Sequence, residues 1–370
     1  MTSATPPLTT DDESIEGLDT ALDADLISKN QPEYPIDTLM IRTESRTVHD
    51  VLRRIERGDY IMDPDFQRDF VWPEDKQSKL IESVLMRIPL PVFYFAENDD
   101  GKHVVVDGLQ RITTLKRFVN NQFKLRLDEA PELNGKRFDD LPVKLKNRIE
   151  DCDLTFYLID AKAGERIRLD IFERVNGGVP LTRQQMRNCL FNGGATQFLK
   201  KQANSNLFVK VTGGSLNVAQ MRDREFVNRF CAFHLLGYKA YRGDMDDFLA
   251  SALKKMNQMS TAELTQLGNI FAKSLRINYK LFGQHSFRKF SQMEQNRSVL
   301  NASLWDVLLT AFIPYFDHDI DAKHDQIFTA VRDLFQESEF NSAITISTND
   351  TKKVTYRFTR MHTLMTEIFA

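Results

Sequence analysis

The sequence predicts an α+β protein with a small sheet in its first half and a mainly α-helical second half. Before about residue 180, short apolar runs at 92–96 and 103–107 alternate with amphipathic segments of helical period. After that point six segments have helical periodicity, and one run, VTYRF at 354–358, has the composition of a strand. The 370 residues leave room for two domains. No stretch approaches the roughly 20 apolar residues of a membrane span, so we expect no membrane partner.

Local signals predict each element of the first half. Val48, Val51 and Leu52 share one face of a helix over 48–57, which Thr47 would cap and Gly58 would end. A second amphipathic helix is expected over 74–86. The runs at 92–96 and 103–107 flank NDDGK, which is typical of a hairpin or a short connection. The remaining predictions are a helix from residue 109, helices over 141–150 and 164–175, and a strand over 154–159.

The first 35 residues form an acidic arm. They hold eight Asp and Glu side chains against one Lys, a net charge of −7, so the remainder carries +4. Because the arm is rich in Thr, Ser, Pro and Asp, it is predicted to be disordered until it docks. Two roles stay open, a solubilising tail and an acidic mimic that shields a basic groove. The predicted domains are the arm at 1–35, an α+β domain at 36–180 and a helical domain at 181–370.

The cysteine pattern bears on the cellular compartment. Cys152, Cys189 and Cys231 lie far apart and form no CxxC pair. This pattern argues against a disulfide framework and against a structural zinc site. The N-terminus also lacks the basic and apolar regions of a signal peptide. We therefore expect a reducing, cytoplasmic location.

The strongest chemical signal is VVVDGLQRITTL at 104–115, where an apolar strand ends in Asp107-Gly108 and a helix starts at once. A helix N-terminus presents unpaired N–H groups and a partial positive charge, so it attracts phosphate. Gly108 would let a ligand approach the backbone, and Arg111 would fork onto phosphate oxygens. Asp107 would hold a magnesium ion or water. A purely structural interpretation stays open, in which Asp107 caps the helix and Arg111 pairs with a nearby acid.

Two further clusters accompany this segment. The run DPDFQRDFVW at 63–72 places a Gln-Arg pair in an irregular segment where packing gives no reason for it, and FERVNGGVPLT at 172–182 contains a glycine turn and a new helix cap. In this order the three clusters resemble the N-terminal domain family of GmrSD-type restriction endonucleases, in the ParB/sulfiredoxin-like superfamily. The resemblance covers about residues 40–250. The matching residues are Pro64, Phe66, Gln67, Arg68, Val71, Trp72, Asp107, Gly108, Gln110, Arg111, Thr113, Thr114, Leu115, Phe172, Asn176, Pro180, Leu181 and Thr182.

The resemblance implies a domain that binds, and in some members hydrolyses, a nucleotide in prokaryotic defence against foreign DNA. The implied ligand is a nucleoside triphosphate with Mg²⁺, its base unknown. Leu109 stands where the family usually has Gln. Because the Leu side chain makes no hydrogen bond, nucleotide binding should survive this change more readily than nucleotide hydrolysis. The implied catalytic residues are Asp107, Gln110 and Arg111, with Asp107 also a metal ligand. The implied nucleotide-binding and phosphate-binding residues are Gln67, Arg68, Gly108, Arg111, Thr113 and Asn176.

Three functions are compatible with the sequence. The first is a nucleotide-dependent enzyme or switch, and the second is a non-catalytic DNA-binding or partner-binding module with a vestigial pocket. The third is a DNA endonuclease, for which only His318 and His324 gather histidine with acids. Their six-residue spacing places them on poorly matched helix faces, so we expect any nuclease in another chain. The expected partners are a nucleotide, DNA and a separate nuclease subunit, with oligomerisation left open.

Overall fold

The computed structural model describes residues 15–16, 41–62, 72–98, 101–160, 169, 171, 182–290 and 298–370. They form a mixed α+β protein with a five-stranded sheet in the first half and helices through most of the second. The predicted fold class is confirmed, whereas the ParB/sulfiredoxin-like superfamily stays a prediction. The chain divides into two compact units, residues 34–190 and residues 1–33 with 191–370. The units divide after residue 190, and the predicted domain boundary at 180 lies outside the described residues and stays a prediction.

Strand β1 (Ile15–Glu16) belongs to the second unit, and the first unit is built on a mixed five-stranded sheet. Its strands are β2 (Ile41–Thr47), β3 (Tyr60–Ile61), β4 (Phe93–Glu97), β5 (His103–Asp107) and β6 (Asp153–Ile159), in the order β2-β6-β4-β5-β3. β2 is antiparallel to β6, β6 is parallel to β4, β4 is antiparallel to β5, and β5 is parallel to β3. This order places β5, which carries the strongest chemical signal, next to the edge strand β3.

Four helices share a hydrophobic core with this sheet. They are α1 (Val48–Glu56), α2 (Glu74–Leu85), α3 (Leu109–Val119) and α4 (Val143–Glu150). Each contributes its apolar face, and Phe93, Phe95 and Phe156 contribute from the strands. The Thr47 hydroxyl accepts the Asp50 N–H at 3.2 Å, which confirms the predicted cap of α1. The helices therefore form where their apolar stripes meet the sheet.

The β4–β5 connection is the predicted hairpin. Its strands pair in antiparallel register from Glu97 opposite His103, and the Asn98 N–H donates to the Lys102 carbonyl at 2.8 Å. The register shifts between Tyr94 and Phe95, so Asp107 pairs with Tyr94 at the end of the ladder. Of the helix predicted over 164–175, only residues 169 and 171 are described, and both are helical.

Helices dominate the described part of the second half. In chain order these are α5 (Arg183–Leu190), α6 (Gly194–Ala203), α7 (Asn206–Thr212), α8 (Arg222–Leu235), α9 (Met245–Asn257), α10 (Thr261–Phe282), α11 (Ala302–Ala311), α12 (Asp317–Ala322), α13 (His324–Leu334), α14 (Ser338–Thr345) and α15 (Thr351–Phe369). A two-residue strand, β7 (Leu300–Asn301), precedes α11 and pairs in parallel with β1. Among the helices of the described residues, none combines the length and apolar character needed to span a membrane.

The strand predicted at 354–358 is wrong, because these residues lie inside α15. The run is rich in β-branched and aromatic side chains, which favours a strand locally. However, Val354, Phe358, Met361 and Met365 are buried at helical spacing, and Asp350 caps the helix by accepting the N–H groups of the first turn. The long apolar stripe therefore outweighs the local composition.

A charged cluster is buried in the core of the second unit. Asp306 on α11 accepts hydrogen bonds from Arg229 on α8 at 2.8 and 2.6 Å and from Arg357 on α15 at 3.2 Å. All three side chains are almost completely inaccessible to solvent. Burial lowers the pKa of Arg357, although the neighbouring Asp306 raises it. The cluster connects three helices that are distant in sequence.

Candidate functional site

The carboxyl end of β5 turns directly into α3 through Gly108. This residue has φ of +100°, in the left-handed region that side chains disfavour. A Cβ atom there would lie 2.3 Å from Cδ1 of Phe93 on the neighbouring strand. Glycine is therefore required twice, by the backbone conformation and by the Phe93 ring. The approach of a ligand is not needed to explain it.

The first turn of α3 has no side-chain cap. Gly108 occupies the N-cap position, so the predicted capping role of Asp107 is not found. The first bond of the helix runs from the Ile112 N–H to the Gly108 carbonyl at 2.9 Å. The N–H groups of residues 109–111 precede that bond, at the positive end of the helix dipole. This end of α3 is suited to an anion.

Arg111 is engaged mainly by the protein itself. Its Nη2 donates to the Val92 carbonyl at 3.0 Å and to Asp107 Oδ2 at 2.9 Å, while Nη1 donates to the Pro91 carbonyl. The guanidinium also lies over the Phe93 ring, 4.3 Å from its centre. Arg111 thus fixes the segment that leads into β4 and pairs with Asp107, as the structural interpretation anticipated.

The Asp107–Arg111 pair differs in exposure between its two members. The Arg111 side chain is 11% exposed, whereas that of Asp107 is 38% exposed. Burial lowers the pKa of Arg111, and Asp107 opposes this by raising it. The guanidinium remains the charged partner that holds one carboxylate oxygen of Asp107. The accessible chemistry at this turn is therefore that of the Asp107 carboxylate.

The other residues of the second motif are divided between core and surface. Leu109 is half-buried and packs against the hydrophobic core. Thr114 is buried, and its hydroxyl donates to the Gln110 carbonyl at 2.8 Å. Gln110 and Thr113 are half-buried in the first turns of α3. The structure therefore gathers Asp107, Gly108, Gln110, Arg111 and Thr113 at one strand–helix junction.

The first motif is described only at its end. Gln67 and Arg68 lie outside the described residues. Trp72 accepts a hydrogen bond at its carbonyl from Gln77 Nε2 at 2.7 Å, and Gln77 Oε1 accepts one from Arg117 on α3 at 2.9 Å. Gln77 is buried. This chain of bonds connects the end of the first motif to the α3 helix.

The third motif is likewise described only at its end, and Asn176 lies outside the described residues. Thr182 forms a reciprocal cap with Gln185: the Thr182 N–H donates to Gln185 Oε1 at 2.7 Å, and the Gln185 N–H donates to the Thr182 hydroxyl at 3.2 Å. This confirms the new helix cap predicted at the end of the cluster.

Sequence reasoning missed a polar cluster on α5. Gln184, Arg187 and Asn188 are all buried, and Gln184 connects the other two through hydrogen bonds of 3.1 and 2.9 Å. The run RQQMRN has the composition of an exposed helix face, so its sequence did not predict that these polar side chains are buried. The available signal was its position directly after the third motif. Buried polar groups of this kind require partners, which makes the helix a candidate for site support.

The histidines considered for a nuclease centre each interact with an adjacent acid. His318 Nε2 lies 3.2 Å from Asp319, and His324 Nδ1 lies 2.9 Å from Asp325. Within the described ranges, no group of three or more His, Cys, Asp and Glu side chains is placed to hold a metal ion. The structure does not bring His318 and His324 together in such a group.

Comparison with known families identifies the part of the chain that carries these motifs. Residues 48–192 match the family model described as "GmrSD restriction endonuclease, N-terminal domain". The match begins at α1, includes all three motifs and ends just after α5. The resemblance inferred from the motifs is thereby confirmed. No curated protein matches the chain.

Proposed function

We propose that this chain, whose residues 48–192 match the model of the GmrSD restriction endonuclease N-terminal domain family, is the nucleotide-binding component of a prokaryotic DNA restriction system. The family ties the domain to restriction and phage defence. The binding of a nucleoside triphosphate is our proposal, and it places the phosphates at the junction of β5 and α3. The observation that carries it is the positive end of α3, where the N-cap residue Gly108 offers no side-chain cap, beside the accessible Asp107 carboxylate.

Asp107 would repel a phosphate bound at the start of α3 unless a cation joined the two, because Arg111 holds only one of its carboxylate oxygens. Mg²⁺ binds through one or two carboxylates together with substrate phosphates, and it keeps several waters. Asp107 could supply the one carboxylate that Mg²⁺ needs, because it is partly exposed and only its Oδ2 is held by Arg111. We therefore propose Asp107 as the metal ligand. The cation would neutralise phosphate charge, and the α3 N–H groups would bind the phosphate oxygens.

In this proposal Arg111 is a positioning residue. It donates three hydrogen bonds to Pro91, Val92 and Asp107. Arg111→Ala should abolish nucleotide binding, but it would do so by releasing the loop before β4 as well as by removing a charge. Asp107→Asn is the sharper variant, since the amide retains the shape of the side chain and removes the charge that holds Mg²⁺. Gln67, Arg68, Gln110, Thr113 and Asn176 remain proposed pocket residues.

The test is a thermal-shift panel of ATP, GTP, CTP and UTP, each with and without Mg²⁺. A ligand at about a hundred times its Kd stabilises the folded state by about 2.7 kcal/mol. For a unit of this size, that corresponds to a rise of roughly 5–10 °C in the melting temperature. We expect one or more nucleotides to produce this rise in the presence of Mg²⁺. Asp107→Asn should weaken the affinity about tenfold or more, as expected for a lost charge-assisted contact.

Glu97→Gln is the matched control. Glu97 lies on β4 at the opposite end of the same hairpin and pairs with Arg42 at 2.9 Å. Its neutralisation removes one carboxylate from the same sheet while leaving the β5–α3 junction intact, so nucleotide affinity should not change. The proposed site is wrong if no nucleotide raises the melting temperature. It is also wrong if Asp107→Asn and Glu97→Gln both bind nucleotide as tightly as the wild type does.

A second function is favoured by a specific observation. Leu109 faces the core at the position where the family usually has Gln, and Arg111 is consumed by internal contacts. Both features suit a module that binds DNA or a protein partner with a pocket that no longer turns over nucleotide. Such a module would associate with DNA in the absence of nucleotide, and Asp107→Asn would leave that association unchanged. Nucleotide-dependent DNA binding would instead favour the first proposal.

We propose that cleavage of DNA resides in a separate nuclease subunit. Support comes from the described part of the second unit, where His318 and His324 each contact their own neighbouring Asp rather than a shared metal site. The test is metal-dependent cleavage of plasmid DNA by the purified chain. Cleavage that is lost in His318→Ala would assign nuclease chemistry to this chain and contradict the proposal.

A further inference from the structure

Strand β1 in the acidic arm pairs with β7 in the helical part of the second unit. Ile15 pairs with Leu300 and Glu16 pairs with Asn301 in a parallel ladder, and Ile15 is buried. Addition of a short extended segment to an available strand is a common mode of peptide recognition. Ile15 and Glu16 therefore contact β7 in the manner of a peptide ligand.

The Glu16 carboxylate is recognised by two side chains. Its Oε1 accepts a hydrogen bond from Lys289 Nζ at 2.5 Å, and its Oε2 accepts one from Asn301 Nδ2 at 3.1 Å. Charge-assisted bonds of this kind are stronger than those between neutral groups. Both carboxylate oxygens are thus bound, so the contact distinguishes Glu from neutral or basic residues.

The groups that hold Glu16 are themselves fixed. Asn301 is fully buried; its Oδ1 caps α11 by accepting the Leu304 N–H at 2.8 Å, and its Nδ2 donates to the Ile344 carbonyl at 2.8 Å. Lys289 Nζ also donates to Thr345 Oγ1 at 2.8 Å. The binding groups are therefore positioned by α11 and α14 and do not depend on the arm for their orientation.

The charges of the two parts are complementary. Residues 191–370 hold 22 Lys and Arg against 17 Asp and Glu, a net charge of +5, while the arm carries −7. Long-range attraction of this sign favours docking of an acidic segment and selects against basic ones. The flanking residues Asp11, Asp12, Glu13 and Asp19 extend the acidic character on both sides of Glu16.

We propose that β7, Lys289 and Asn301 form a peptide-docking slot that recognises an apolar residue followed by glutamate, and that the arm fills this slot in cis as a displaceable latch. The proposal concerns the second unit and is independent of the nucleotide site. A tethered segment competes at an effective concentration on the order of millimolar. An acidic peptide from a partner chain therefore binds strongly only when the arm is released.

The first experiment measures release of the arm in the full chain. Hydrogen exchange of the segment that contains Ile15 and Glu16 should be slow in the wild type and about tenfold or more faster in Glu16→Lys, since a charge-assisted contact is lost. The double variant Glu16→Lys with Lys289→Glu restores an ion pair of opposite sense and should recover protection. Unchanged exchange in Glu16→Lys would overturn the proposal.

The second experiment tests the slot in trans. The probe is a fluorescent synthetic peptide with the sequence of residues 10–21, followed by anisotropy. It should bind Glu16→Lys, whose own arm is released, at least about tenfold more tightly than the wild type. It should fail to bind Lys289→Glu, and a peptide with Lys in place of Glu16 should bind Lys289→Glu instead. Absence of binding to every chain, equal binding to wild type and Glu16→Lys, or binding retained by Lys289→Glu would each overturn the proposal.

Discussion

Replacement of Gly108 by alanine should destabilise the first unit more than a comparable change at any open glycine turn. The left-handed φ of +100° carries a backbone cost of about 1–3 kcal/mol for a residue with a side chain. The new Cβ would also lie 2.3 Å from the Phe93 ring. Overpacking of a tight core costs a further 1–3 kcal/mol or so. We therefore expect Gly108→Ala to cost about 2–6 kcal/mol.

The Phe93 ring has little freedom to move away. It is fully buried, it stacks on Phe156 with ring centres 5.3 Å apart, and the Arg111 guanidinium lies over it. Displacement would disturb the core and the Arg111 contacts together. For this reason the clash should lower the free energy of unfolding of the whole unit rather than be relieved by a local shift of the ring.

Gly58→Ala supplies the control. Gly58 follows α1 in the same unit, its φ is +77°, and no atom lies within 4 Å of a Cβ placed there. It should lose only the backbone contribution, so the two variants should differ by about 1–3 kcal/mol. Native-state hydrogen exchange at the amides of β5 and α3 measures the free energy of opening in each variant. Equal losses in the two variants would refute the steric argument, as would a failure of Phe93→Leu to relieve part of the cost of Gly108→Ala.

Two predictions concern ionised groups. Burial alone would raise the pKa of Asp50, but hydrogen bonds from three arginines have the larger combined effect and lower it to about 2. Because this pKa lies below that of Asp in the unfolded chain, ionised Asp50 stabilises the fold above pH 4, and this stabilisation is lost as the pH falls towards 2. Asp50→Asn should therefore lower the free energy of unfolding by about 1 kcal/mol at neutral pH. Urea denaturation at a series of pH values should show this difference from the wild type disappear in acid, and a difference that stays constant with pH would contradict the assignment. Asp306→Asn should cost about 3–5 kcal/mol, since Arg229 and Arg357 would keep buried charges without their carboxylate. Thermal denaturation measures this loss, and a change no larger than that of the exposed Asp325→Asn would contradict it.

The sequence was informative where neighbours in the chain determine the structure. The start of α1 follows from Thr47 and the spacing of Val48, Val51 and Leu52, and all of these signals lie within one helix. The motif order likewise predicted the family whose model matches residues 48–192, because each motif is a local pattern. At 354–358 local composition misled, since the decisive apolar stripe extends to Ile368 at the end of α15.

The local sequence pattern did not predict contacts between residues that are distant in the chain. The partners of Arg111 include the carbonyls of Pro91 and Val92, nearly twenty residues earlier, and a sequence does not show where a guanidinium points. The buried cluster of Arg229 and Asp306 is similar, because charged residues on separate helices resemble exposed faces in the sequence. β1 was missed for another reason, since two residues in a polar segment give no periodic signal.

The two residues that first suggested a phosphate site are explained by packing. Gly108 satisfies Phe93 and a left-handed turn, and Arg111 holds the loop before β4. Two features that packing does not explain support a ligand: the start of α3 has no side-chain cap, and Asp107 is partly exposed. An anion alone would suit the helix end but would be repelled by Asp107, and a cation alone would suit Asp107 but not the helix dipole. A phosphate paired with a divalent cation would suit both. That this phosphate belongs to a nucleotide is what the family resemblance implies, and Asp107→Asn is the most direct test of the proposed site.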